Sequence, residues 1–216
     1  MSSAAGEDYS GYRYPHSETN PSHGILLQPT FDILEDYFAN SQRSRRVFDL
    51  GCGNGSVASL LTAKGYDVTG IDPSKEGIAQ AKSAYPNLRL EIGSAYDDLA
   101  GRYGSFPAVI SLEVVEHVYA PRDYARTLFD LVEPGGIAVL STPYHGYIKN
   151  VALALSGKMD SHFTALWDHG HIKFWSIKTL GTLLVEAGFE APSFRRVGRV
   201  PPLAKSMIAI AIKPSV

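Results

Sequence analysis

The sequence has little of several features that mark common classes of protein. Among its 216 residues there is one cysteine, Cys52, which excludes an internal disulfide and fits a reducing compartment. Lys and Arg number 20 against 22 Asp and Glu, so no excess of positive charge draws the chain to nucleic acid. No apolar run reaches the roughly 18 residues that span a bilayer. Residues 1–20 lack the regions of a signal peptide, so we expect a cytoplasmic protein.

What remains is the composition of a globular domain. Hydrophobic residues make up 44% and charged residues 19%, and this length suits one domain. Residues 1–24 are rich in Ser, Gly and Tyr, and we expect a flexible segment there. Its aromatic and histidine side chains either form a lid over a ligand or decorate a disordered tail. Residues 25–216 are then a single domain.

Apolar runs of strand length alternate with helical patterns along the middle of the chain, which predicts βαβ units and a parallel sheet. Two later apolar runs predict an antiparallel pair at the sheet edge. Between them and the alternating part lies an insertion rich in His and aromatic residues, 145–175. The predicted strands are 46–50, 66–71, 88–92, 107–112, 137–142, 189–199 and 205–213. The predicted helices are 25–39, 55–64, 74–84, 122–132, 147–155 and 176–187, with a turn region between 92 and 107.

A glycine-rich turn follows the first predicted strand, and an acid ends the second. Gly51, Gly53 and Gly55 stand at alternate positions, and Asp72 follows about 20 positions after Gly51. Glycine lets backbone amides approach a ligand closely, and an acid at this place binds ribose hydroxyls. Ser56 stands where the dinucleotide fingerprint requires its third glycine, and no Lys or Arg lies between 47 and 61. With Asp49 beside the turn, the pattern favours a phosphate-free, cationic nucleoside, S-adenosylmethionine, and disfavours a dehydrogenase.

Five motifs in order resemble those of class I S-adenosylmethionine-dependent methyltransferases, from about Ile25 to the end of the chain. The resemblance implies a three-layer, Rossmann-like α/β fold whose mostly parallel, seven-stranded sheet has an antiparallel terminal strand. The stretch from Glu113 to His117, with Ser141, Thr142 and Pro143 after it, looks most like the ubiquinone-biosynthesis O-methyltransferases. The motifs are Val47–Gly55, Gly70–Asp72, Gly93–Tyr96, Leu112–Val118 and Leu131–Gly136.

The resemblance also assigns cofactor contacts. The glycine turn contacts the methionine half, and Asp49 holds the turn or the amino group. Asp72 binds the ribose or, alternatively, caps the following helix. Ser94 stands where the family usually has an acid against the adenine amino group. The full expected set is Asp49, Gly51, Cys52, Gly53, Asp72, Ser94, Ala95, Leu112 and Glu113.

A second polar cluster follows the strand 107–112: Glu113, Glu116 and His117. If this segment turns helically, all three lie on one face. In one interpretation Glu113 lines the methionine pocket and His117 caps or packs. In a second, Glu113 and His117 are catalytic, with a neutral histidine taking the hydroxyl proton.

The third interpretation is a metal site. Glu113, Glu116, His117 and the later His171 resemble the metal ligands of small-RNA 2′-O-methyltransferases. Such a set suits Mg²⁺ less well than Mn²⁺, Fe²⁺, Co²⁺ or Zn²⁺. His145 is a rival ligand, and His169 and His171 are otherwise hydrogen-bonded residues of the insertion.

The acceptor side is less defined by the sequence. The apolar helix 147–155 walls an acceptor pocket, contacts a membrane surface or, the interpretation we favour, packs on the core. Late basic residues either meet phosphates or lie on a solvated sheet edge. These are Arg195, Arg196, Arg199 and Lys205.

We therefore predict methyl transfer from S-adenosylmethionine to a hydroxyl of a small-molecule acceptor, an aromatic diol or quinol. One alternative is a metal-dependent 2′-O-methyltransferase of RNA 3′ ends, although the charge balance makes nucleic acid an unfavoured partner. Another is a non-catalytic S-adenosylmethionine-binding regulator. The oligomeric state is left open.

Overall fold

A computed structural model describes residues 23–168 and 170–215. The prediction of a lid or tail in residues 1–24 falls almost wholly outside these residues, except that the first helix begins at His23. The helices are α1 (His23–Ala39), α2 (Ser56–Ala63), α3 (Lys75–Ala84), α4 (Leu99–Tyr103), α5 (Pro121–Leu131), α6 (Tyr147–Leu155), α7 (Met159–Phe163) and α8 (Ile177–Glu186), with a 3₁₀ turn at Pro201–Leu203. The strands are β1 (Arg46–Leu50), β2 (Asp67–Asp72), β3 (Arg89–Ile92), β4 (Phe106–Leu112), β5 (Val132–Pro143), β6 (Ser193–Val197) and β7 (Ser206–Ile212).

The strands form one seven-stranded sheet in the order β3-β2-β1-β4-β5-β7-β6. The first five are mutually parallel, and β7 runs antiparallel to both β5 and β6. Side chains alternate between two apolar clusters, so that Val47 lies in one and Phe48 in the other. Helices cover both clusters, as a parallel sheet requires. The predicted three-layer fold is confirmed.

Two local predictions are wrong. The expected turn region before β4 contains α4, whose first turn is capped by Asp98 accepting from the Gly101 N–H at 2.9 Å. The sequence predicts a gap between a helix over 122–132 and a strand over 137–142, but α5 passes directly into β5 at Val132. The glycines of this predicted gap form a bulge, where the pairing with β4 shifts register. Glu133 anchors the bulge by ion pairs to Arg43 and Arg46 at 2.9 and 3.7 Å.

The strand order reverses between the adjacent strands β1 and β4. In open α/β sheets, ligands bind at the carboxyl ends of strands where the order reverses. The glycine turn follows β1 at this edge, and the segment beginning at Glu113 follows the adjacent β4. Among the described residues, no helix is both long enough and apolar enough to cross a membrane.

Candidate active site

The glycine turn is a left-handed backbone segment that other residues would strain. Gly51, Gly53 and Gly55 have φ angles of 93°, 53° and 76°. The N–H groups of Gly51 and Cys52 both donate to the carbonyl of Ile71, each at 2.9 Å. A Cβ on Gly51 would lie 2.4 Å from Cγ2 of Val114, so the segment after β4 packs directly on this turn. The turn therefore needs glycine for its backbone angle and for its packing.

Asp72 is buried and holds the glycine turn in place. Its Oδ2 accepts from the Gly53 N–H at 2.9 Å, and its Oδ1 accepts from the Ser74 N–H at 2.8 Å. The helix-capping role considered for Asp72 belongs to Ser74, whose hydroxyl accepts from the Gly77 N–H at 3.0 Å. A carboxylate oxygen can accept more than one hydrogen bond, so these bonds are compatible with ribose hydroxyls as additional donors.

Asp49 lies behind the turn with 2% of its surface exposed. Its Oδ2 has no hydrogen-bond partner among the described residues. Burial raises the pKa of Asp49 to about 7, and the nearby negative charge of Asp72 adds to the shift. An anionic phosphate would be repelled by this pair, whereas a cation would favour the ionised form of Asp49.

The segment after β4 is a sharp turn and not the helical turn on which its alignment was predicted. Glu113 has φ of 56°, a strained value for a residue other than glycine. Its N–H donates to the carbonyl of Ser141 at 3.1 Å and is 3.0 Å from the Ser141 hydroxyl, which itself donates to Glu113 Oε1 at 2.9 Å. Burial raises the pKa of Glu113 to about 7, against the effect of the Ser141 hydrogen bond. The hydrogen bonds between Glu113 and Ser141 thus hold the strained backbone and fix the position of the Glu113 carboxyl.

Glu116, His117 and His171 nevertheless meet. Their candidate ligand atoms all lie within 4.8 Å of one another. Glu116 is 1% exposed, and neither of its carboxyl oxygens has a hydrogen-bond partner among the described residues. The Ile172 and Lys173 N–H groups donate to the Glu116 carbonyl at 2.9 and 3.0 Å, which fixes the insertion against this segment.

This group differs from the predicted ligand set. Glu113 is not part of it, since the Ser141 hydroxyl engages its carboxylate. His145 is also elsewhere, with its ring packed on His162, Phe163 and Phe174 at centroid distances of 5.0–5.7 Å. His169 lies outside the described residues. Burial raises the pKa of Glu116 well above its usual range, and Glu113 adds to this.

A cavity of about 410 Å³ lies beside this group, under α6 and the connection between β6 and β7. His171 belongs to both the group and the cavity wall. The expectation that α6 packs its apolar side on the core is wrong, because Tyr147 and Leu155 are 83% and 85% exposed. The helix instead buries Lys149, whose Nζ donates to the Lys205 carbonyl at 3.3 Å. A peripheral membrane contact through the exposed residues stays a prediction.

Comparison with known proteins bears on the family and the fold of the chain. A family described as a methyltransferase domain matches residues 26–193. The chain belongs to the S-adenosylmethionine-dependent methyltransferases. The resemblance inferred from the five motifs is thereby confirmed, and so is the assignment as an enzyme of this class.

Relatives of this methyltransferase carry a more specific name. This chain is 31% identical to the ubiquinone biosynthesis O-methyltransferase of Azorhizobium caulinodans over 193 residues. The match covers 82% of this chain and 74% of that protein. The chain is 34% identical to the enzyme of the same name from Caulobacter sp. (strain K31) over 126 residues, and there the chain spans only 48% of the relative. A solved S-adenosylmethionine-dependent methyltransferase from Methanosarcina mazei, 22% identical, superposes with a TM-score of 0.63, covering 91% of this chain and 99% of that one.

The methyltransferase has one acid near the expected adenine position that sequence reasoning did not single out. Ser94 and Ala95 follow β3 as expected, and the Ser94 N–H donates to Asp97 Oδ2 at 2.7 Å. Asp97 is exposed, and its carboxylate contacts the backbone of Ser94 through this hydrogen bond. The adjacent pair of aspartates after Tyr96 was the available signal. Asp97 is a candidate for the acid that Ser94 replaces.

The unusual pKa of Asp49 predicts a pH dependence of cofactor binding. A bound cation lowers this pKa, so affinity should rise as pH increases to about 7 and level off above it. In the free protein the sign is opposite, since the stabilising effect of neutral Asp49 is lost as pH rises from its ordinary pKa of 3.8 through about 7. Calorimetric titration from about pH 5.5 to 8 should show the rise in the natural protein and a flat, weaker profile in Asp49→Asn. A parallel rise in both proteins would assign the effect to another group.

Proposed function

We propose that this methyltransferase transfers a methyl group from S-adenosylmethionine to a hydroxyl of a small aromatic diol or quinol. The observation that carries the proposal is the contact between the glycine turn and the segment after β4. Val114 packs on Gly51, so the donor turn and the polar group of Glu116, His117 and His171 lie at one sheet edge. The cavity bordered by His171 adjoins that group. The name of the relatives supports a hydroxyl as the acceptor.

The donor side fits a cationic nucleoside. S-adenosylmethionine supplies a reactive sulfonium methyl, so the protein has mainly to position and orient the reactants. Asp49 and Asp72 provide negative charge for the amino group and hydrogen-bond acceptors for the ribose. The other donor contacts we assign are Gly51, Cys52, Gly53, Ser94, Ala95, Leu112 and Glu113, with Asp97 added from its position.

On the acceptor side, His117 is the candidate base. Its Nδ1 lies 3.2 Å from the Gly170 carbonyl, which can only accept, so this contact puts the ring hydrogen on Nδ1. The lone pair is then on Nε2. In the reaction, the O–CH₃ bond forms as the S–CH₃ bond breaks, and the hydroxyl proton passes to His117 Nε2. Glu113 shapes the same segment through its bond to Ser141.

A metal-assisted form of the reaction, in which His117 Nε2 would hold the ion and would not act as the base, is supported by a separate observation. Among the described residues the two buried Glu116 oxygens have no hydrogen-bond partner, and the ligand atoms of Glu116, His117 and His171 lie within 4.8 Å of one another. One carboxylate with two histidines suits Mn²⁺, Fe²⁺, Co²⁺ or Zn²⁺ better than Mg²⁺. A divalent ion there would lower the pKa of a vicinal diol, in a catechol or in the terminal ribose of an RNA. The cost of burying Glu116 unpaired disfavours a regulator without chemistry.

The test is a methyl-transfer assay with catechols, quinols and short RNAs, each with added Mn²⁺ or with a chelator. We expect methylated catechol or quinol by mass spectrometry. Activity that the chelator lowers and Mn²⁺ restores would favour the metal-assisted form over His117 as the base. Exclusive methylation of RNA would establish the alternative substrate. Tight S-adenosylmethionine binding without transfer to any acceptor would instead support the regulator, and activity unaffected by chelator would eliminate the metal.

A further inference from the structure

The wall of the acceptor cavity carries four cationic side chains and no acidic one. Lys149, Lys158, Arg199 and Lys205 line it, and Asp and Glu are absent from the lining of the cavity as the described residues form it. None of the four makes an ion pair with a carboxylate within the described part of the chain, whereas arginines elsewhere do. Like charges gathered around one cavity repel one another and destabilise the protein unless an anion joins them.

Lys149 is the most informative of these residues. It is 8% exposed, and one hydrogen bond, to the Lys205 carbonyl, leaves two of its three N–H donors for a ligand. Burial lowers the pKa of Lys149 to about 8, the positive charge of Arg199 adds to that shift, and the carboxyl of Glu113 opposes it. A buried ammonium next to a guanidinium is a costly arrangement, and a bound carboxylate or phosphate offsets it with charge-assisted hydrogen bonds.

The remaining lining adds apolar surface and a histidine to the cationic side chains. Leu153, Leu203 and Phe174 supply apolar surface that suits a ring. His171 joins the cavity to the group at which the hydroxyl is proposed to react. The lining under α6 therefore combines a histidine of the proposed reaction group, apolar surface and cationic side chains.

We propose that the methyl acceptor carries an anionic group, a carboxylate or a phosphate, which Arg199, Lys205 and Lys149 bind while its hydroxyl lies near His117. This inference rests on the proposed function, because it describes the acceptor of the same reaction. It selects acidic diols over uncharged quinols. It also assigns to the connection between β6 and β7, which carries Arg199 and Lys205, a role in substrate selection.

A matched set of acceptors tests the proposal. The compounds 3,4-dihydroxybenzoate and 3,4-dihydroxybenzamide differ in charge and little in shape, and 3,4-dihydroxyphenylphosphonate supplies the phosphate-like arm. At about pH 7 we expect kcat/KM for one of the anionic compounds to exceed that for the amide by about ten- to a hundredfold, the range of a charged hydrogen bond. The arm with the larger preference distinguishes a carboxylate from a phosphate ligand.

Substitution then locates the effect. Arg199→Gln should reduce the ratio of anion to amide by about tenfold, mainly through KM, and Lys205→Gln should act in the same direction. Arg195→Gln is the matched control, because Arg195 is exposed on β6 and absent from the cavity wall. The unfolding midpoint of each variant shows that it is folded. Equal kcat/KM for the amide and both anionic compounds, or a ratio that Arg199→Gln and Lys205→Gln leave unchanged, would overturn the proposal.

A binding measurement keeps this inference separate from the proposed function. Calorimetry with the same compounds, in the presence of S-adenosylhomocysteine, measures their affinity for the cavity without methyl transfer. If no diol is methylated but the acids bind better than the amide and Arg199→Gln removes the difference, the anion site stands and the proposed reaction fails. If diols are methylated without preference, the reaction stands and the anion site fails.

Discussion

Gly51→Ala is expected to abolish measurable S-adenosylmethionine binding and to lower the free energy of unfolding by about 2–6 kcal/mol. Two effects add. An alanine at φ of 93° is strained by about 1–3 kcal/mol, and its Cβ would lie 2.4 Å from Val114, an overpacking that costs a similar amount. Relief of that clash has to move either the glycine turn or the segment after β4. Denaturant unfolding and calorimetric titration measure the two losses.

Gly65→Ala is the matched control for this variant. Gly65 has φ of 85°, close to that of Gly51, but a Cβ there would meet no atom within 4 Å. It therefore carries the backbone strain without the clash and lies away from the proposed donor site. We expect Gly65→Ala to cost about 1 kcal/mol and to bind the donor normally. Equal behaviour of the two variants would show that the contact with Val114 is unimportant.

His117→Gln is expected to lower kcat by about 10²–10⁴, the range for loss of a general base, with donor affinity unchanged. Glutamine approximates the shape of histidine and can donate to the Gly170 carbonyl, but its amide cannot take up the hydroxyl proton. Raising the pH should restore part of the rate, because the acceptor hydroxyl then ionises without help. Steady-state kinetics across pH with a catechol acceptor give the measurement.

Tyr119→Ala provides the comparison on the same segment. Its ring is 83% exposed two positions beyond His117, so its loss should change kcat little. A His117→Gln enzyme with normal kcat would remove His117 from the reaction. A loss confined to KM for the acceptor would give it a binding role instead.

The donor half could be predicted because its signals are local in the chain. The glycines at 51, 53 and 55 report a backbone that only glycine adopts readily, and Asp72 ends the next strand, so strand–turn–helix spacing places it. The short helix α4 was missed although Asp98 before an apolar residue is a capping signal. Its five residues carry too little periodicity to be seen.

The acceptor half depends on contacts between distant segments. Glu113 adopts a left-handed backbone because Ser141, on β5, holds it, and nothing in its own neighbours announces that. The choice of Lys149 as the buried side of α6 likewise follows from the Lys205 carbonyl on a later connection. The apolar periodicity of α6 predicted that its apolar side packs on the core, because periodicity carries no information about a cavity lined with cations.

The connection between β6 and β7 is remote in sequence from the residues that hold the donor. It joins two antiparallel strands, β6 and β7, and β7 also pairs with β5 along seven residue pairs. The connection can therefore be replaced as a unit. Under the proposed anion site, a connection grafted from a relative would transfer that relative's acceptor preference and leave methyl-donor binding unchanged. On the same basis, a few substitutions in this connection would change acceptor preference while the residues proposed to hold the donor stay the same.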